Sequence, residues 1–310
     1  MKILFMGTPD FAVFSLDALC SAGENVIGVI TQPDKPKGRG YALTPPPVKV
    51  YAEERGIKVW QPQSLRGEEF ASLLDELSPE LIIVVAYGKI LPENVINFPK
   101  YGCVNVHGSL LPEYRGAAPM QRAIIDGKSV TGITTMYMDV GLDTGNMILK
   151  EEVAIGENDN FEDMHDRLGK CGAKVLVKTV ELIKAGSAPS VPQDDSLSSY
   201  AAKIEKSDCL INFDTDAKQV HDLIRGLSPI PLAFTHTPDG KLLKVIESRY
   251  IPESSNAEAG MVISLEGDGI TVACRTGAVK LLRVLPEGKG RMSAADFIRG
   301  RKISLGDILK

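Results

Sequence analysis

Leu81, Ile82, Ile83, Val84 and Val85 are apolar at every position. A strand with one wet face alternates apolar and polar side chains, so a run without alternation is covered on both faces. Strands of that kind belong to parallel sheets flanked by helices. The first half of the chain repeats the pattern. Residues 3–6, 26–30, 58–60 and 103–107 read as further strands. After Gly7, Thr8 offers an N-cap, Pro9 a first-turn proline and Asp10 a first-turn acid. Phe11, Phe14, Leu16 and Leu19 follow at helical spacing, up to Gly23. Strands alternating with helices predict an α/β fold with a doubly wound parallel sheet.

Residues 132–139 and 147–153 read as two more strands, and 160–185 as a long helix with Met164, Leu168, Val175, Leu176 and Val180 on its apolar side. The character then changes. Pro189, Pro192, Gln193, Asp194, Asp195 and a Ser-rich stretch show no periodicity and predict a linker. Beyond it, a helix over 216–226 precedes short strands at 232–236, 242–250, 260–264, 269–274 and 279–284. Turn signals such as Pro238-Asp239-Gly240 separate them. Short strands this dense predict a small barrel of the oligonucleotide-binding (OB) kind. The expected division is 1–188, a linker over 189–207, and a barrel over 208–310.

A chain of 310 residues with 44% hydrophobic and 24% charged residues is ordinary for a globular protein of two domains. Its net charge of -5 excludes a protein coated in positive charge. Between residues 275 and 302, however, eight basic residues face two acidic ones. Composition alone favours a solvated face there over a phosphate-facing patch. The five cysteines form no C-x-x-C pair, which predicts neither zinc nor a disulfide framework. No leader or membrane segment is evident, so a cytoplasmic protein with no membrane contact is expected.

The run Val104-Asn105-Val106-His107-Gly108-Ser109-Leu110-Leu111-Pro112 concentrates the chemistry. Asn105 and His107 are two residues apart, so both leave the same face of an extended strand. An amide donor and a titratable imidazole at one strand tip suit acyl transfer: one holds a developing oxyanion, the other manages a proton. Asp139-Val140-Gly141-Leu142-Asp143-Thr144-Gly145 reads first as a hairpin turn. Brought to His107, its carboxylate would orient the imidazole. Asp143 is the better placed acid, being deeper in the Gly-bounded loop.

Gly-x-Gly-x-x-Gly is absent, so Gly7 reads as a structural turn rather than a cofactor contact. Asp34-Lys35-Pro36-Lys37-Gly38-Arg39-Gly40 mixes bases with helix breakers and reads as a mobile basic loop on the sheet rim. Tyr87-Gly88-Lys89-Ile90 follows the buried strand on the same rim, as a connection or as a slot for a flat heterocycle. His165, His221 and His236 are isolated and carry no expected catalytic role.

Taken together, the start 2–12, the loop 32–40, the stretch 105–119, the loop 138–145, Asn212-Phe213 and Arg225-Gly226-Leu227-Ser228-Pro229 resemble the methionyl-tRNA formyltransferase family along essentially the whole chain. The resemblance implies a Rossmann-like formyltransferase domain and an OB-like tRNA-binding barrel. It implies 10-formyltetrahydrofolate as co-substrate, with no permanently bound cofactor and no metal, and initiator methionyl-tRNA as acceptor. Asn105, His107 and Asp143 match the family's catalytic positions. Ser109, Leu110, Leu111 and Pro112 lie where the family binds folate, and Tyr87, Gly88, Ile90 and Asp139 are further folate-binding candidates. Lys35, Lys37, Arg39, Lys289 and Arg291 are the candidates for tRNA phosphates. A monomer is expected on the same ground. Two other readings compete: another folate-dependent formyltransferase or hydrolase acting on a small amine, such as an amino-sugar nucleotide, and a non-catalytic RNA-binding protein.

Overall fold

The computed structural model describes residues 1–37 and 42–310, so Arg39 lies outside the described residues. Two compact units divide the chain. The first comprises 1–116, 131–153 and 165–200; the second comprises 117–130, 154–164 and 201–310.

In the first unit seven strands form one sheet in the order Met147–Ala154, Val130–Tyr137, Cys103–His107, Leu81–Val85, Ile3–Gly7, Val26–Ile30, Val59–Trp60. The last five are parallel to one another. Val130–Tyr137 runs antiparallel to Cys103–His107, pairing Asn105 with Met136 and His107 with Thr134. Leu81–Val85 is buried at every position, as its composition demands. Each such side chain contributes roughly 1.5–3 kcal/mol relative to exposure.

The chain leaves Ile3–Gly7 toward one edge, then returns to Leu81–Val85 on its other side. That reversal opens a crevice at the carboxyl ends of the two strands, where such sheets bind ligands. Gly7 lies there. A Cβ on it would stand 2.7 Å from the Phe5 ring and 2.8 Å from Ala12 Cβ, so close packing requires glycine. Thr8 does not cap the following helix, Asp10–Ser21, contrary to expectation; Pro9 stands at the N-cap without a side-chain bond. The Thr8 hydroxyl instead donates to the Tyr87 carbonyl at 2.9 Å, tying the crevice's two sides.

The second unit is built on an antiparallel sheet in the order Ala233–His236, Leu242–Ile251, Ala278–Pro286, Ile270–Ala273, Val262–Ser264. All five strands fall close to the expected places. Residues 307–310 join the sheet's two edges. His236 and Lys310 exchange backbone bonds of 2.7 and 3.1 Å, while Val262 donates to Asp307 and Leu309 to Gly260. Gly260, at φ +89°, permits this approach, since a Cβ there would lie 2.6 Å from the Leu309 carbonyl oxygen. The sheet is thereby curled and closed, which satisfies edges that would otherwise invite pairing with other chains. Helix Ala217–Gly226 packs on it, capped by Asp216, which accepts from Lys218 N at 2.8 Å. Ile125, from helix Pro119–Ile125, packs against the same core.

Candidate active site

Strand Cys103–His107 buries Cys103, Val104 and Val106, and brings Asn105 and His107 out on one face. The Asp139–Gly145 loop meets them there. Asn105 Nδ2 donates to Asp143 Oδ1 at 3.5 Å, and His107 Nδ1 stands 3.6 Å from Asp143 Oδ2. On the other side of the ring, His107 Nε2 lies 2.9 Å from the Tyr114 carbonyl oxygen. A carbonyl only accepts, so Nε2 carries a proton. Nδ1 is then the position that gains or loses one, and it faces a carboxylate. Proton transfer at this ring is confined to one nitrogen.

Asp143 is held from several sides. Gly116 N donates to Oδ2 at 2.8 Å. Gln193 Nε2 donates to the Asp143 and Gly145 carbonyls, both at 2.8 Å. Arg115 Nε and Nη2 donate to Gln193 Oε1 at 3.0 and 2.8 Å, and Arg115 Nη2 also reaches Asp195. Asp139 shapes the turn, accepting on Oδ1 from Gly141 N and the Thr144 hydroxyl. Asp143 at φ +55° and Tyr114 at φ +61° are left-handed residues that are not glycine. Such backbone costs about 1–3 kcal/mol per residue and persists only where neighbours enforce it. For Tyr114 the neighbour is Ser199, whose hydroxyl accepts from Tyr114 N at 2.8 Å. Gln193 and Ser199 both come from the stretch expected to be a free linker, whose residues through Tyr200 belong to the first unit. Contacts made across 48 to 85 residues of sequence leave no local pattern to read.

The turn after His107 is rigid. Ser109 and Leu111 are buried. The Ser109 hydroxyl donates to the Glu113 carbonyl, and Thr134 Oγ1 bridges Ser109 O and Leu111 N. Leu110 and Pro112 are half-buried. At the crevice, Gly88 has open space beside its Cα at φ +86°, and Ile90 is 84% exposed. Tyr87 is buried with no partner for its hydroxyl among the described residues, and burial pushes its pKa up to about 12.

Lys35 is exposed, in the short strand Lys35–Lys37 paired with Ala42–Thr44. Asp34, before it, is anchored to Gln61 Nε2 at 2.8 Å and Lys49 Nζ at 2.9 Å, which hold its carboxyl below the usual range. In the second unit Arg275, Lys280 and Arg299 pair with Asp214, Asp268 and Asp296. Lys289 and Arg291 are exposed and make no ion pair among the described residues. Among those residues no cluster of His, Cys, Asp and Glu could hold a metal, and no helix is long and apolar enough to cross a membrane.

Comparison with known proteins agrees with this geometry. Residues 1–180 match the formyl transferase model and 203–302 match the model of the formyl transferase C-terminal domain. The methionyl-tRNA formyltransferase of Desulforamulus reducens is 47% identical over 311 residues, covering 100% of this chain and 98% of that one. The enzyme of the same name from Geobacter metallireducens is 45% identical, with 99% and 97% covered. An N-formyltransferase from Helicobacter canadensis, solved with folinic acid and dTDP-3-aminofucose, shares the fold at a TM-score of 0.68 and 20% identity over 91% of this chain and 98% of that one. HypX from Aquifex aeolicus, solved with tetrahydrofolic acid, does so at 0.63 and 16% over 96% of this chain, which spans 47% of that longer protein. Matched by both family models and by relatives along its whole length, the chain belongs to the formyl transferase family, in its methionyl-tRNA formyltransferase branch.

Proposed function

We propose that this chain transfers the formyl group of 10-formyltetrahydrofolate to the amino group of initiator methionyl-tRNA, in the cytoplasm and as a monomer. The observation that carries the reading is the convergence of Asn105 Nδ2 and His107 Nδ1 on the two oxygens of Asp143, at 3.5 and 3.6 Å. Both contacts are loose, and each exchanges readily for a tighter one when substrate arrives.

The neutral amine attacks the formyl carbon, and the carbonyl oxygen becomes an oxyanion. Asn105 Nδ2–H and protonated His107 Nδ1–H turn from Asp143 to that oxygen. Losing one such donor costs ~3 kcal/mol, a hundredfold or more in rate. Asp143, released from both, accepts the proton that the attacking amine sheds. The C–N10 bond then breaks, and the proton passes to N10 of the departing tetrahydrofolate. No net proton is gained or lost, and the folate is consumed as a substrate. Ser109 to Pro112, with Tyr87, Gly88, Ile90 and Asp139, form the folate side of the site in this reading. Lys35, Lys37, Arg39, Lys289 and Arg291 meet tRNA phosphates, which position the acceptor without reading its bases.

Formyl transfer to methionyl initiator tRNA, measured beside transfer to amino-sugar nucleotides, tests the reading. Activity with the tRNA alone supports it. Activity with the sugar nucleotide alone leaves the folate chemistry standing and removes the tRNA as acceptor. Loss of tRNA affinity with rising salt is expected, and Arg291→Ala should flatten its logarithmic slope by about 1.

A further inference from the structure

From residue 190 to residue 200 every side chain is exposed except that of Gln193. An amide withdrawn from water in so wet a stretch needs full satisfaction, and Gln193 has it. Its NH2 donates twice, to the carbonyls of Asp143 and Gly145, and its oxygen accepts twice from Arg115. The backbone beside it is pinned, since Val191 and Met147 exchange bonds of 2.8 and 2.9 Å. The two carbonyls belong to the left-handed Asp143, whose carboxylate faces His107, and to Gly145 two residues on.

We propose that Gln193 is a positioning residue for formyl transfer, fixing the peptide of Asp143 so that its carboxylate stays within reach of His107 and Asn105. The inference rests on the role assigned to Asp143 above. Gln193 touches no reacting atom in this account. It acts through the main chain of the loop, and Arg115 orients the amide so that its two donors, not its oxygen, face the loop. A carboxylate at this position would keep Arg115 and lose both donors. A thioether of similar length would lose everything but bulk.

The experiment is a cycle of Gln193→Met, Asp143→Asn and the double variant, with Gln193→Glu beside them, each confirmed folded by circular dichroism. Single-turnover rates are followed with 10-formyltetrahydrofolate and methionyl-tRNA. Misplacing a reacting group by an ångström costs on the order of a hundredfold. Gln193→Met and Gln193→Glu should therefore both lower the chemical step roughly ten- to a hundredfold, while KM for either substrate barely moves. Added to Asp143→Asn, the Gln193 substitution should cost almost nothing more. The His107 ring resonances, read by NMR without substrate, should shift in Gln193→Met as they do in Asp143→Asn. Full activity in Gln193→Met, an equal loss in both backgrounds, or unmoved His107 resonances would each overturn the inference. Wild-type rates in Asp143→Asn would overturn the role of Asp143 and the inference with it. Loss in Asp143→Asn with additive Gln193 effects would overturn the inference alone.

Discussion

His107 is 5% exposed and His221 is 2% exposed, yet their rings meet different company. Each has one nitrogen against a backbone carbonyl: Nε2 lies 2.9 Å from Tyr114 O in the first and 3.2 Å from Glu157 O in the second. The other nitrogen separates them. His107 Nδ1 faces the Asp143 carboxylate at 3.6 Å, whereas His221 Nδ1 faces the Ser248 hydroxyl at 2.9 Å. A hydroxyl can donate, so neutral His221 is satisfied at both nitrogens. Burial lowers its pKa, the Glu157 carbonyl and Asp222 oppose, and Arg225 and Arg249 add to the lowering. At His107 the second partner is a carboxylate, 3.6 Å away, instead of a hydroxyl. Burial alone does not separate the two histidines; the chemistry of the second partner does.

The strongest way to break this comparison is to remove each ring. His107→Ala should lose about a thousandfold in formyl transfer while remaining folded, as removal of a general acid–base group does. His221→Ala should transfer formyl at the wild-type rate. If the two outcomes were exchanged, partner chemistry would be the wrong criterion. Next in size is Asn105→Ala, with kcat down about a hundredfold from the lost oxyanion donor. A rise in KM with kcat preserved would move Asn105 from transition-state stabilisation to ordinary binding.

The contrast also shows what the residues told in advance. The Asn105-x-His107 spacing fixed a shared face because strand geometry is local. The Asp143 carboxylate lies against Asn105 and His107, while Asp139 turns its carboxylate to Gly141 and Thr144. The strand pattern of the second unit was equally plain, since turn signals separate its short runs. Closure of that sheet by residues 307–310 left no periodic pattern to read, since it rests on backbone bonds, joined by the Thr235 hydroxyl and the His236 ring at the Lys310 carbonyl. Residues 154–164 join the second unit through Arg225 Nη1, which donates to the carbonyls of Gly156 and Asp159. Gln193 sits among prolines, aspartates and serines, which describe a linker until their distant partners are known. Local order was legible, and tertiary hydrogen bonds were not.

A smaller effect is expected on stability. His221→Ala leaves the buried Ser248 hydroxyl without its partner, and unpaired buried groups cost about 1–3 kcal/mol. The urea midpoint should fall accordingly at pH 8, with the m-value unchanged. A wild-type midpoint would mean that water replaces the ring without penalty.

The smallest effect is that loss's dependence on pH, and its sign follows from burial. Folding lowers the His221 pKa below its ordinary 6.5. Above 6.5 neither the folded nor the unfolded chain binds a proton there, and the full contribution of the neutral ring is present. As the pH drops past 6.5 the unfolded chain takes up a proton that the folded chain refuses, so unfolding becomes easier. The loss continues until the folded pKa is reached. Wild type should therefore lose more stability between pH 7 and 5 than His221→Ala does, roughly the window that linkage sets. The gap between the two unfolding free energies should narrow on acidification, and every carboxylate common to both cancels from it. A constant gap would mean that the ring titrates alike folded and unfolded. A widening gap would mean that it is charged in the fold, with the Glu157 carbonyl and Asp222 outweighing burial and the two arginines.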